Sequence, residues 1–242
     1  MKWLLILSVF NPLGLIQMSE DFKSEQLRYP RVRKAYQEKE AALVKLLREK
    51  DIEINDFNLF IRCFKQEQLV EVWVKAKDST DFIHFKNYNF CSSSGDLGPK
   101  RKEGDGQIPE GFYTIDRFNP YSNFYLSLGV NYHNKSDRVL GDQQSPGGEI
   151  FIHGDCVTIG CIPITDNLIK ELYVLAVEAK NGGQSRIPVH IFPFKFAASW
   201  QDGEHLSQRT FWTNLKQGYD YFDLKKQIPE IQIDNKGKYL FR

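Results

Sequence analysis

The chain has 242 residues, of which 41% are hydrophobic and 14% aromatic, which is enough apolar material for one sizeable core. Its 32 basic and 31 acidic residues leave a formal net charge of +1. This balance argues against a nucleic-acid partner, which a basic excess would indicate, and against an acidic disordered tail.

The first residues differ in kind from the rest of the chain. Lys2 precedes an apolar run over residues 3–10, a pattern typical of a secretory signal. The run is too short to span a bilayer. We therefore predict a signal peptide over residues 1–19, export to the periplasm or cell envelope, and no stable membrane span. The alternative is that these residues are a buried start of the globular domain.

A helix and a hairpin are predicted next. Apolar residues at helical spacing predict a helix over residues 24–52, within an N-terminal helical segment over 20–55, and Pro30 is suited to a helix start. Apolar and polar residues then alternate over residues 58–77 on both sides of the letters KQEQ, which predicts a β-hairpin.

The remaining pattern is mostly of strands. Further strands are predicted over residues 82–94, 112–118, 124–132, 149–154 and 187–194, with polar loops over 95–111 and 133–148. A helix is predicted over residues 165–183, with Thr165 or Asp166 as its cap. Residues 196–242 are rich in aromatic residues, so we expect them to pack on the core. The whole indicates one α+β domain that is mostly β.

One stretch, EIFIHGDCVTIGCIPITD over residues 149–166, carries candidate chemistry, because His153, Cys156 and Cys161 fall within nine residues. A catalytic thiol needs a base and backbone donors for an oxyanion. His153 closes a predicted strand, Gly154 permits a turn, and a short loop returns to Cys161.

The oxyanion donors would come from the same stretch. Backbone amides of Gly160, Cys161 and Ile162 precede a predicted helix and could face a developing negative charge.

Other interpretations of these residues stay open. The three side chains could bind zinc, although a structural site usually has four ligands and the remaining histidines are scattered. Cys156 and Cys161 could form a disulfide across a tight loop, or both could be inert core residues. Four cysteines are too few for a disulfide scaffold, though one pair could be oxidised in an exported protein. The residues alone favour thiol catalysis only slightly.

The letters IHGDCVTIGC and IPEGFYTI resemble the L,D-transpeptidase catalytic domain family (YkuD-type), and more closely its YafK-like branch. In that family a His-Gly pair is followed by Ser/Thr-x-Gly-Cys, here His153-Gly154 and the residues 158–161. Pro109, Gly111 and Tyr113 match an upstream proline-x-glycine-x-aromatic element. The resemblance covers about residues 56–195.

The same motif contains one departure. Many YkuD-type domains have histidine directly before the Gly-Cys pair, and this chain has Ile159, which the YafK-like branch tolerates.

The resemblance implies a fold and a reaction. The fold would be a β-sandwich or barrel catalytic domain with flanking helices. The substrate would be a peptidoglycan stem peptide whose third residue is attacked by the Cys161 thiolate, with His153 moving the proton. The thioester would then pass to an amine, giving a cross-link or a protein–wall amide, or to water. No cofactor or metal is implied, and the partners would be stem peptides and possibly a wall-linked protein.

Further site residues follow from the resemblance. The substrate-binding candidates are Gly154, Thr158, Tyr113, Ser122 and Arg138. Cys156 is interpreted as a bystander and the basic run 100–102 as a solvated charge cluster.

Three alternatives to transfer are kept. The first is hydrolysis of the same bonds, by an L,D-carboxypeptidase or an amidase that releases wall-linked protein. The second is a non-catalytic wall-binding module, which a Cys156–Cys161 disulfide would favour. The third is a zinc-stabilised adaptor.

Overall fold

A computed structural model of the protein describes residues 21–196 and 206–242. The signal peptide predicted over residues 1–19 lies outside the described residues. Within the described ranges, no helix combines the length and the apolar character required to cross a membrane.

Eight strands form one mixed sheet, with the order β3-β2-β1-β8-β4-β5-β6-β7. The strands are β1 (Phe57–Phe64), β2 (Leu69–Ala76), β3 (Ile83–Asn89), β4 (Gly111–Asn119), β5 (Ser127–Val130), β6 (Phe151–His153), β7 (Ile162–Pro163) and β8 (Ile187–Phe192). β1 and β2 pair antiparallel, which confirms the predicted hairpin. β7 was not predicted, because two residues are too few to show an alternating pattern.

The sheet curls until its two edges meet. The backbone N–H of Cys91, just after β3, donates to the carbonyl oxygen of Pro163 in β7 at 3.0 Å. A disulfide between Cys91 and Cys156 joins the same two regions. The expected α+β fold with a barrel-like sheet and flanking helices is confirmed.

Helices cover the sheet. They are α1 (Phe22–Leu27), α2 (Pro30–Arg48), α3 (Lys135–Leu140), α4 (Thr165–Asn181) and α5 (Arg209–Lys225), and a hairpin of β9 (Ile231–Ile233) and β10 (Tyr239–Phe241) follows α5. The helix predicted over residues 24–52 is two helices, because Tyr29 is extended before Pro30 starts α2. α3 lies in a predicted loop, where Asn134 and Asp137 form a capping box.

β1 shows why both faces of the sheet are apolar. Leu59, Ile61 and Cys63 belong to a core cluster that also contains buried residues of α2 and α4. The alternate residue Phe64 belongs to a second, aromatic cluster with Trp212 of α5. Because side chains alternate along a strand, β1 needs apolar residues at nearly every position to serve both clusters.

A buried ion pair fixes the long loop between β3 and β4. The Lys65 ammonium lies 3.0 Å from a Glu110 carboxylate oxygen, with both side chains almost fully buried. Lys65 also donates to the carbonyl oxygens of Gly98 and Ile108, at 2.6 and 3.1 Å. Glu110 accepts from the indole N–H of Trp212 at 2.6 Å. These bonds satisfy both charges and tie the loop to β1 and α5.

We predict that Lys65→Met lowers the free energy of unfolding by about 3–5 kcal/mol, because it leaves the Glu110 carboxylate buried without its cation. Urea unfolding measures this loss. Lys77→Met is the matched control: Lys77 pairs with Asp56 at 3.2 Å on the surface, so its loss should cost about 0–1 kcal/mol. Equal losses for the two variants would contradict the assigned role of the buried pair.

Candidate active site

The connection between β6 and β7 positions the candidate catalytic residues. β6 and β7 are parallel, with Ile152 opposite Ile162 and His153 opposite Pro163. This register places Cys161 beside Phe151. Since side chains alternate along a strand, Cys161 falls on the sheet face that carries His153. The structure therefore brings the predicted nucleophile and base to neighbouring strands.

The His153 ring is held in one orientation. Its Nδ1 is hydrogen-bonded to the carbonyl oxygen of Gly154. Because a carbonyl oxygen only accepts, Nδ1 carries the proton and Nε2 is left as the basic nitrogen of the neutral ring. The Phe124 ring covers the imidazole, with 4.6 Å between the ring centroids. The Gly154 carbonyl is thus the orienting group that the sequence did not identify.

The Cys161 thiol is free and partly buried. Its Sγ donates a weak hydrogen bond to the carbonyl oxygen of Glu149 at 3.5 Å. Burial raises the pKa of Cys161, with the Glu149 charge acting in the same direction. Burial also lowers the pKa of His153. Both shifts favour uncharged forms, so the resting pair at neutral pH is a thiol and a neutral imidazole.

Thr158 organises the turn before the nucleophile. Its Oγ1 accepts from the backbone N–H groups of Gly160 and Cys161, at 3.1 and 2.8 Å. The same hydroxyl donates to the carbonyl oxygen of Cys161 at 2.8 Å. Two of the predicted oxyanion donors therefore already have an acceptor within the turn. The third, Ile162, is a buried residue of β7.

Gly154 lies where a side chain has no room. A Cβ there would come within 2.5 Å of a carboxylate oxygen of Asp166 and 2.8 Å of the Phe124 carbonyl oxygen. Thr165 or Asp166 was expected to cap α4, but the N-cap residue is Ile164, which makes no side-chain cap hydrogen bond. The Asp166 carboxylate accepts from the backbone N–H of Asp155 at 2.8 Å. Asp166 thus ties the start of α4 to the loop of residues 154–161.

Cys156 is not a bystander. It is bonded to Cys91, which lies 65 residues earlier in the chain, and this corrects the interpretation from sequence. The alternative Cys156–Cys161 disulfide is absent, since Cys161 is free. The bond joins the loop of residues 154–161 to the end of β3. Sequence spacing gave no signal for this pair, because the two cysteines meet only when the sheet curls.

Lys100 also differs from expectation. It was assigned to a solvated charge cluster, but it is only 4% exposed. Its ammonium donates to Asp105 and to the carbonyl oxygen of Lys102, at 2.7 and 2.8 Å. Its positive charge lowers the pKa of Cys161 but does not overcome the effect of burial. The same loop borders the turn before Cys161, because the Gln107 carbonyl oxygen lies 2.9 Å from where a Gly160 Cβ would be.

The other substrate-binding candidates are Ser122, Tyr113 and Arg138, and each has defined contacts of its own. Ser122 is linked to His153 through Phe124. Its Oγ accepts the Phe124 backbone N–H at 3.0 Å, and the Phe124 ring covers the imidazole. Tyr113 is buried, and its hydroxyl contacts Asp137 at 3.2 Å. Arg138 donates to the carbonyl oxygen of His133 at 2.8 Å.

The contacts described for Tyr113 and Arg138 thus do not place either residue at His153 or Cys161. Within the part of the chain that the structure describes, no cluster of three or more His, Cys, Asp or Glu side chains is arranged to hold a metal ion.

A barrel-like sheet that presents a cysteine and a carbonyl-oriented histidine defines the class of the L,D-transpeptidase catalytic domain. The sequence profile of that family, the YkuD L,D-transpeptidase catalytic domain, matches residues 58–191. The chain is 34% identical to the protein named "Putative L,D-transpeptidase YafK" of Escherichia coli (strain K12) over 185 residues, which covers 75% of this chain and 73% of the relative. The chain belongs to this family.

The chain also has weaker similarity to solved structures. The helical cell shape determining protein Pgp2 from Campylobacter jejuni is 17% identical, with a TM-score of 0.45 and 74% of each chain covered. Bd1075 from Bdellovibrio bacteriovorus is 20% identical, with a TM-score of 0.41, and the match covers 68% of this chain and 58% of that chain.

We predict that the rate of Cys161 alkylation by iodoacetamide rises about tenfold per pH unit between about pH 6 and 8, because only the thiolate reacts and the raised pKa keeps it scarce. Mass spectrometry of the Cys161 peptide measures the rate. Cys63 is fully buried, so it serves as an internal control that should stay unmodified. A pH-independent rate across this range would instead indicate a preformed thiolate–imidazolium pair.

Proposed function

We propose that this protein is an exported cysteine acyl-transfer enzyme that acts on peptidoglycan stem peptides. The observation that carries the proposal is the position of Cys161 directly before β7, on the sheet face that carries His153 of β6, with the imidazole fixed by the Gly154 carbonyl. Membership of the L,D-transpeptidase family supports the substrate class. The predicted signal peptide over residues 1–19 supports export.

The first half-reaction begins from uncharged groups. As the stem peptide binds, His153 Nε2 takes the Cys161 thiol proton and the thiolate attacks the carbonyl carbon of the third stem residue. Collapse of the tetrahedral intermediate forms a thioester and breaks the bond to the terminal D-alanine. The imidazolium returns its proton to the leaving amine. Proton transfer at the moment of attack suits a pair that rests in the neutral state.

The oxyanion would be held by the turn before Cys161. The amides of Gly160 and Cys161 both point at Thr158 Oγ1, so they share one focus. In the proposed mechanism the Thr158 hydroxyl gives way to the substrate oxygen. The two amides already converge on one position, which is the arrangement that an oxyanion requires.

The second half-reaction decides between transfer and hydrolysis. An amine acceptor attacks the thioester and yields a new amide, whereas water yields a free tripeptide carboxylate. The binding-module alternative loses its expected support, because Cys156 is bonded to Cys91 and Cys161 is free.

The proposal predicts that purified protein converts muropeptides with tetrapeptide stems, releasing D-alanine, and that Cys161→Ala and His153→Gln lower the rate by about 10³-fold or more. Liquid chromatography with mass spectrometry measures the products. Dimers would indicate transfer, and monomeric tripeptides hydrolysis. Cys63→Ala is the matched control, because it removes a thiol that is fully buried in the core.

Two results would count against the proposal. One is undiminished turnover by Cys161→Ala. The other is the absence of any product with both free and protein-linked stems, under conditions in which the Cys161 thiol is reduced and the protein is folded.

A further inference from the structure

A cavity of about 660 Å³ lies away from the candidate active site, and none of its described lining residues belongs to the loop 154–161. It is bounded by the start of α5, the β9–β10 hairpin and the loop that carries Arg101. Its volume is within the range of about 300–1,000 Å³ that is typical of small-molecule sites. Its lining includes Arg101, Phe211, Lys236, Gly237 and Lys238.

The lining of this cavity is strongly cationic. Arg101, Lys236 and Lys238 contribute three positive charges, and no aspartate or glutamate is among the described residues that line it. Gathering like charges around a concave surface costs free energy and concentrates a positive potential there. An anion in the cavity would relieve that repulsion.

Arg101 is positioned to contact a ligand. Its guanidinium stacks over the Phe211 ring, 4.8 Å from the centroid. The nearest described carboxylate is Asp137, at 3.7 Å from Nη1, and Nη1 is buried without a hydrogen bond. A planar guanidinium fixed on an aromatic ring binds carboxylate or phosphate oxygens well, because its donors are already oriented.

The two lysines stand on a rigid turn. A carboxylate oxygen of Asp234 accepts the backbone N–H groups of Lys236 and Lys238, at 2.8 and 2.9 Å. Between them, the Gly237 carbonyl oxygen accepts the Ser136 hydroxyl at 2.6 Å, which ties the turn to α3. The lysine backbones are therefore fixed before any ligand arrives.

We propose that this cavity is a second ligand site, which binds a multiply charged anionic group with carboxylate or phosphate oxygens. The inference depends on the charge and geometry of the cavity alone, not on the reaction proposed for Cys161. Arg101 directly follows Lys100, whose charge acts on Cys161, so the two sites share one loop.

Isothermal titration calorimetry with citrate and with pyrophosphate, at constant ionic strength, tests the proposal. We expect saturable binding of one molecule per chain for at least one of the two anions. Lys236→Gln combined with Lys238→Gln should weaken that binding by about tenfold or more. The matched control is Lys216→Gln combined with Lys225→Gln, which removes two charges from α5 outside the cavity lining and should leave the affinity unchanged.

The outcomes are separable. Binding of citrate alone assigns a carboxylate ligand, and binding of pyrophosphate alone a phosphate ligand. Equal affinities in the two double variants, or no saturable binding of either anion to the folded protein, would overturn the proposal. Cys161→Ala should bind as the wild type does, so a failure here is distinguishable from a failure of the proposed enzyme function.

Discussion

The parallel pairing of β6 with β7 is the constraint on which the candidate site depends. Parallel neighbours usually need a crossover of about a dozen residues or more, often a helix. Here the chain returns from His153 to Ile162 through the eight residues 154–161. So short a return leaves no space for regular structure, and it delivers Cys161 to the start of the same ladder that His153 ends.

Several features are consequences of that short return. Gly154 is needed because Asp166 and Phe124 crowd the first residue of the loop. Thr158 closes the turn before Cys161 with three hydrogen bonds. The loop is anchored from outside by Asp166 and by the disulfide, at Asp155 and Cys156.

Burial sets the chemical state of the pair. A desolvated thiol and a desolvated imidazole are both driven toward neutrality, so the site does not store a charge-separated pair. The buried Lys65–Glu110 pair stabilises the loop that carries Lys100, and the Gln107 carbonyl of that loop lies 2.9 Å from where a Gly160 Cβ would be. The charges that act on the Cys161 thiol are those of Glu149 and Lys100, and the thiol itself is uncharged.

The sequence predicted those elements whose pattern is local and long, and it missed those that depend on contacts between distant residues. The β1–β2 hairpin and α4 were predicted because their periodicity is long and local. β7 and the Cys91–Cys156 bond were not, because a two-residue strand has no period and the cysteines meet only through the curled sheet. Lys100 was misassigned because its buried partner, Asp105, is recognisable only once the loop is folded.

Trapping the acyl-enzyme is the most direct test of whether Cys161 is the nucleophile. The protein is mixed with a tetrapeptide muropeptide, quenched in acid and digested, and the peptides are analysed by mass spectrometry. If Cys161 is the nucleophile, the Cys161 peptide gains the mass of the muropeptide less D-alanine, and hydroxylamine removes the adduct. Consumption of the muropeptide with the acyl group on another residue, or with no covalent adduct under any quench time, would contradict that role for Cys161.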